Sequence, residues 1–358
     1  MAVFAEHGFQ ECVGNTTATL TASIPDWVNR AFVLIWPTDK NTATSTANYY
    51  TAKCSLTGPS SLFIEVTGST GTPRTRVGYC VVWCTEDEFY SEHYSGSMTA
   101  GETTPASDPA LTFDFADASR RMLTCDVEAL SALTSNQVYA TAEFNGGQAV
   151  EVIRGASGGA IEFSGWAVYW RAETGVEVVT GERDLSGTIQ SGVTTVHGSS
   201  VSDASRLALF QSFRHEVAGL EQTSIASYLP AGTTIWWERY DQNTSYQSYG
   251  RWWVVAFPTG GAAGQHVRLS SIISGAATAS LAFSAMELER TMLTEVSFSC
   301  NGTGTAHPRD RWQAYLDSTT SLALERWYSG QAAEAAADVM DLGDWRFHRQ
   351  PHAAGRSF

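Results

Sequence analysis

Three groups of residues have the types that bound-ion or surface chemistry needs. His348 and His352 stand four apart, a spacing that puts two imidazoles on one helical face. Pro351 between them opposes that helix, and no carboxylate or thiol completes a ligand set. Glu86-Asp87-Glu88 and Asp241-Gln242-Asn243 each gather oxygens in one short stretch, as calcium requires. Neither has the glycine-punctuated spacing of a calcium loop, so both read as solvated turns. Asn15, Asn243 and Asn301 head Asn-x-Thr/Ser triplets, which matter only in a secreted chain. No cofactor and no metal is expected from these patterns.

A fourth group could form a nucleophile. Gly155-Ala156-Ser157-Gly158-Gly159 resembles the Gly-x-Ser-Gly-Gly run around the nucleophile of chymotrypsin-like proteases, over five residues of the chain. That resemblance implies a His and an Asp earlier in the sequence, for which His93 and Asp114 are the candidates. Neither sits in a matching signature, and Ser157 falls in a glycine-rich turn before an aromatic strand. A hairpin turn is the expected role, and the chain is read as non-enzymatic.

Aromatic and basic side chains are the candidates for contact with partners. Twelve Trp and thirteen Tyr are many for 358 residues. Adjacent rings such as Trp236-Trp237, Trp252-Trp253 and Trp327-Tyr328 point to opposite faces if they lie on strands. Some rings are therefore expected at interfaces between modules, between subunits or on a sugar-binding surface. Trp236, Trp252, Trp327 and Tyr328 are the aromatic candidates. The tail, residues 346–358, is locally basic on an acidic chain and adds Arg346, His348, Arg349, Arg356 and Phe358 as a docking arm.

The elements that position these residues recur. Gly78-Tyr79-Cys80-Val81-Val82-Trp83 returns as Gly165-Trp166-Ala167-Val168-Tyr169-Trp170, more loosely from Gly250, and most weakly from Gly343. This alignment makes Val81 and Val168 equivalent. Serine- and glycine-rich runs follow the first three copies, at 95–101, 186–192 and 270–275, and arginine-flanked runs recur at 119–124, 205–209 and 289–294. Ordered signatures at a fixed period indicate tandem modules. Short β-branched and aromatic runs between glycine-rich breaks indicate antiparallel strands.

The expected fold is all-β: four tandem small antiparallel β-sandwich repeats, Ig-like or jelly-roll-like. Boundaries near Pro105, Gly192 and Gly275 give 1–105, 106–192, 193–277 and 278–358. The first repeat carries an extra loop at 38–51. Short helical turns are expected before the runs at 205 and 289, and the alanine-rich residues 331–340 read as a helical insertion in the last repeat.

Composition bounds the function. A net charge of −15 opposes a nucleic-acid backbone or an anionic membrane as main partner. No run of about 18 apolar residues could cross a membrane as a helix. The six cysteines are unevenly spread, four of them before residue 85, and are expected as buried free thiols, with a bridge from Cys12 or Cys54 to Cys80 as the alternative. The N-terminal residues lack the basic and apolar segments of a signal peptide. Synthesis in a host cytoplasm is therefore expected, followed by residence on a virion or extracellular particle surface. Two functions fit: a structural protein of an assembled particle, most concretely a bacteriophage capsid decoration, head spike or tail fibre protein, or a glycan-binding adhesin or lectin-like array. The expected partners are copies of itself or other particle subunits, and surface glycans in the second reading.

Overall fold

The computed structural model describes residues 3–39, 51–67, 75–185, 191–195, 203–216, 225–231, 234–239, 247–258, 263–272, 278–300, 313–325 and 333–342. They are nearly all β, arranged as small antiparallel sheets. The first six strands are β1 (Val3–Cys12), β2 (Thr16–Thr19), β3 (Ala31–Asp39), β4 (Lys53–Gly58), β5 (Ser61–Glu65) and β6 (Thr75–Cys84). They pair as β1-β6-β3 and β2-β5-β4.

The same order then recurs. The second set holds β7 (Phe89–Met98), β8 (Arg121–Leu123), β9 (Asp126–Ala129), β10 (Ala140–Phe144), β11 (Val150–Arg154) and β12 (Ile161–Trp170). Here β8 and β9 together form the third strand, both pairing with β12 as β7 does, and a single bridge from Ala110 to Ala149 replaces the second strand. The third set, β13 (Glu177–Asp184), β14 (Ser191–Thr195), β15 (Leu207–His215), β16 (Ile225–Ala231), β17 (Thr234–Arg239) and β18 (Ser248–Ala256), pairs as β13-β18-β15 and β14-β17-β16. The fourth, β19 (Ala263–Ile272), β20 (Thr278–Ala282), β21 (Thr291–Cys300), β22 (Gln313–Ser318), β23 (Ser321–Glu325) and β24 (Ala333–Asp341), pairs as β19-β24-β21 and β20-β23-β22.

In every set the first strand pairs with the last. Cuts at Pro105, Gly192 and Gly275 would separate β7 from β12, β13 from β18 and β19 from β24. The pairing register also moves the glycines. Glu6 and Glu92 mark equivalent positions, because each carboxylate accepts two backbone N–H groups of the following turn: Thr21 and Ala22 for Glu6, Thr112 and Phe113 for Glu92. Glu6 faces Val81 and Glu92 faces Ala167, so Val81 corresponds to Ala167 and not to Val168.

A different set of glycines recurs in the pairing. At one cross-strand position a glycine lies under an aromatic ring: Gly8 opposite Tyr79, Gly165 opposite Tyr94, and Gly181 opposite Trp252. A Cβ on Gly8 would lie 2.4 Å from Tyr79 Oη, and one on Gly181 would lie 2.5 Å from Trp252 Cζ2. The ring sits on the last strand in the first and third sets and on the first strand in the second. The fourth set has Val267 opposite Ala337.

The expected helix at 331–340 is instead β24, the central strand between β19 and β21. Alanine's helical preference is worth only tenths of a kcal/mol per residue. Two hydrogen-bonded ladders and the burial of Ala337, Val339 and Met340 outweigh it. The fourth glycine motif, from Gly343, lies outside the described residues. Short 3-10 turns, Ala204–Arg206 and Leu288–Arg290, do lead into β15 and β21 as expected.

Each last strand is buried on both faces. Trp252 and Val254 enter the interior of the third set with Leu209 and Trp237, whereas Trp253 and Val255 join a separate cluster shared among sets. That shared cluster takes Phe32 from the first set, Phe89 and Trp170 from the second, Phe210 and Phe257 from the third, and Met292, Met340 and Leu342 from the fourth. Phe32 meets Phe89 at 5.4 Å, Phe89 meets Trp170 at 5.2 Å and Trp170 meets Phe257 at 5.5 Å between ring centroids. The paired rings thus divide between a set's own interior and a common hub.

Candidate functional site

The described side chains converge on the seams between sets. The fourth strand of each set packs on the last strand of the next: β4 on β12, β10 on β18 and β16 on β24. The series does not stop there, because β22 packs on β6 and β1. The four sets therefore close into a ring, with the hub at its centre.

An arginine at the entrance of each third strand fixes the chain at the hub. Arg30, Arg120, Arg206 and Arg290 offer their carbonyls to the N–H groups of Cys84, Trp170, Phe257 and Leu342, at 2.8–3.1 Å. Each arginine N–H bonds back to an acidic residue of the preceding turn, Asp26, Asp117, Asp203 or Glu287. The guanidinium of Arg30 reaches the Thr85 carbonyl, that of Arg120 the Arg171 carbonyl and that of Arg206 the Phe257 carbonyl. Thr85 and Arg171 open the linkers that lead to the next set, and Phe257 directly follows the last strand of the third. Arg30 also pairs with Asp87 at 2.8 Å, so the acidic run 86–88 belongs to a clamped linker.

The first-to-second seam is built around Lys53, one of only two lysines. Its ammonium lies 3.0 Å from Glu65 of its own set and 2.6 Å from Glu162 of the next. Glu65, Glu128 and Glu162 bring carboxylate oxygens within 4.8 Å of one another, a grouping suited to a cation, and Lys53 pairs with two of the three. Burial would lower the Lys53 pKa, but hydrogen bonds to Glu162 and Glu65 and their charges reverse this and raise it. The amine is held protonated and is no nucleophile. Burial raises the pKa of Glu128, which is only 3% exposed, against hydrogen bonding from Thr67 and the charge of Lys53. Ser164 brackets Cys54 across the same seam, its hydroxyl accepting from the Cys54 N–H at 3.3 Å and donating to the carbonyl at 3.1 Å.

Ser297 repeats that bracket on Ser227 at the third-to-fourth seam, at 2.8 and 2.9 Å. At the second-to-third seam Arg251 meets Glu143 at 3.0 Å and Arg214 reaches Thr141 at 2.9 Å. The closing seam, fourth to first, places Arg76 between Glu11 of its own set and Glu325 of the fourth. Phe9 lies between the Arg76 guanidinium, 4.1 Å from its centroid, and the tilted ring of Tyr315 at 5.3 Å. His7 donates from Nε2 to the Thr291 carbonyl and lies 3.8 Å from Cys80 Sγ. Burial lowers the His7 pKa to about 4 against that hydrogen bond, and burial pushes the Cys80 thiol up to about 12. Both are neutral near pH 7.

The residues singled out from the sequence fare differently. Trp252 is 5% exposed, inside the third set under Gly181, and offers no contact surface. Trp236 is half-buried on β17. Trp327, Tyr328, Arg346, His348, Arg349, Arg356 and Phe358 lie outside the described residues, as do His352, residues 241–243 and positions 40–50 of the first-set loop. Thr51, at the end of that loop, does cross a seam, accepting the Ala129 N–H at 3.0 Å.

Ser157 sits in the turn before β12, its carbonyl accepting from Gln137. His93 is engaged elsewhere, with its Nε2 on the Cys54 carbonyl at 3.2 Å and its ring against Trp166. Cys12, Cys54, Cys80, Cys84 and Cys125 are free thiols, and the alternative bridges to Cys80 are absent among them.

Sequence reading missed Lys53, His7, Arg76 and Arg154. Arg154 is 2% exposed and donates to the carbonyls of Thr99, Glu102, Gln137 and Gly159. One signal was present: His7 and His93 occupy the same strand position, as Glu6 and Glu92 do. No protein-family model matches the chain, and no curated protein shows significant sequence similarity to it.

Proposed function

We propose that the chain is four tandem Ig-like sandwich modules of common ancestry, divided at 85–88, at 171–176 and after Ala256. We read it as a non-enzymatic structural protein of an assembled particle, most concretely a bacteriophage virion component such as a capsid decoration, head spike or tail fibre protein. The observation that carries this reading is ring closure: each set packs on the next and the fourth packs on the first, and Lys53, Arg76, Arg214 and Arg251 reach across these seams. A body of this kind holds surfaces at fixed angles. The acidic charge and the locally basic tail complement it, since the tail would meet opposite charge on an acidic neighbour. The test is deletion of residues 346–358: circular dichroism should be unchanged and incorporation into purified particles lost. Normal incorporation of the truncated chain overturns the docking role, and absence of the full chain from particles by mass spectrometry overturns the particle reading.

A glycan-binding role has one observation in its favour. Phe9 is 43% exposed beside Tyr315, with Arg76 and Glu11 at hand, the mixture of ring and polar groups that sugars stack and bond on. Binding on a glycan array that Phe9→Ala abolishes would move this reading ahead.

A further inference from the structure

We infer that the seam between the fourth unit and the first is a separable head-to-tail interface, and that a second copy of this chain can supply its other half. The fourth unit of each copy then seats on the first unit of the other. Three of the four seams join units that follow one another through a short linker, which keeps their partners at high effective concentration. The closing seam joins the two ends of the described chain with no short linker across it, so it is held by its own contacts and by Met292, Met340 and Leu342 of the fourth unit in the hub.

Those contacts are directional. β22 and β23 of one end meet β1 and β6 of the other, so the two surfaces differ and the interface is heterologous. Such an interface accepts the same surface from another molecule without any new complementarity. Charge directs it to the right place. In the closing seam the incoming unit carries the carboxylate, Glu325, and the receiving sheet carries Arg76. In the first-to-second seam the signs are reversed, with Lys53 incoming and Glu162 receiving. A free fourth unit therefore fits the first unit's sheet, and Glu325 would be repelled by the carboxylates of the second's. The seam also covers Cys80, which gives opening a chemical readout, while Cys54 under the first-to-second seam serves as the internal reference.

The test uses Arg76→Glu and Glu325→Arg in the full chain, singly and together. Either single change sets like charges against each other, so peptide-mapped thiol labelling of Cys80 should speed up at least tenfold while Cys54 is unchanged. The double variant restores the pair with reversed sign and should be a native-like monomer with Cys80 protected. When the two single variants are refolded together at high concentration, both seams of a reciprocal dimer become complementary. Native mass spectrometry should then show a heterodimer that neither variant forms alone. The inference is overturned if the mixture gives only two monomers while the double variant is native, if Cys80 in the single variants reacts as slowly as in the parent, or if the double variant fails to protect Cys80.

Discussion

The first-to-second seam and the closing seam solve one packing problem with opposite means. Both lay the fourth strand of one unit across the last strand of the next. The first is backed by the linker 85–88 and holds a half-buried lysine between two of three clustered carboxylates; the second has no linker and relies on an arginine, a tilted aromatic pair and a neutral histidine. Burying charge is costly unless it is paired, and losing one partner is costlier still. A tethered seam re-forms rapidly after each opening and tolerates so sensitive an arrangement. The untethered seam uses contacts that fail more gradually, which suits an interface that separates and rejoins.

The largest expected effect tests the tethered side. Lys53→Ala leaves Glu65, Glu128 and Glu162 facing one another across the seam, and should cost about 3 kcal/mol in urea unfolding. The variant should remain monomeric, because the linker still holds the seam together. A loss below about 1 kcal/mol would make the charged cluster a solvated ornament and erase the contrast. On the closing side, acid should act through His7. Its folded pKa lies below its unfolded value, so the unfolded chain binds the proton first and stability falls as pH drops from about 6.5 to about 4.

The groups facing His7 are the Cys80 thiol and the Thr291 carbonyl, and neither offers a charge to relieve the imidazolium. The loss should be about 2 kcal/mol, given partial exposure, and His7→Gln should flatten it in a stability-versus-pH series. Arg76→Ala should follow, at about 1 kcal/mol, with faster Cys80 labelling and unchanged Cys54 labelling. Ser157→Ala touches neither seam and sets the baseline, within about 0.5 kcal/mol in the same unfolding assay. Labelling of Ser157 by an activated phosphonate would contradict its role as a turn residue.

The all-β, antiparallel character was legible because β-branched and aromatic runs between glycines report local chain preference directly. Their grouping was not. β7 follows β6 after four residues, and nothing local says that its partner is β12, some seventy residues on. Glycine also misled the register, since a ring and a glycine that exchange strands shift the motif by one position. Residues 331–340 failed for the opposite reason, a clear local preference overruled by two neighbouring strands. The seams were hardest to read. Lys53 carries no motif, and its meaning arises only when Glu128 and Glu162 of the next unit arrive beside it. Adjacent tryptophans do part to opposite faces, as the strand period requires: Trp252 is buried inside the third set and Trp253 in the hub.

On the proposed common ancestry of the four units, the exchange of glycine and ring between the first and second bears on how such copies drift apart. Passing from Gly8 and Tyr79 to the arrangement of Tyr94 and Gly165 takes two substitutions, and each order has its own intermediate. Adding the second ring first crowds two aromatics into a slot built for one. Losing the first ring leaves a hole that costs about 3–5 kcal/mol, a large share of the 5–15 kcal/mol that holds a small domain together. A solitary module would spend that intermediate close to unfolding. A module gripped on both sides by neighbours has a reserve to draw on, so closure of the ring makes drift inside each unit survivable and lets the four copies become different proteins in sequence while remaining one object in shape.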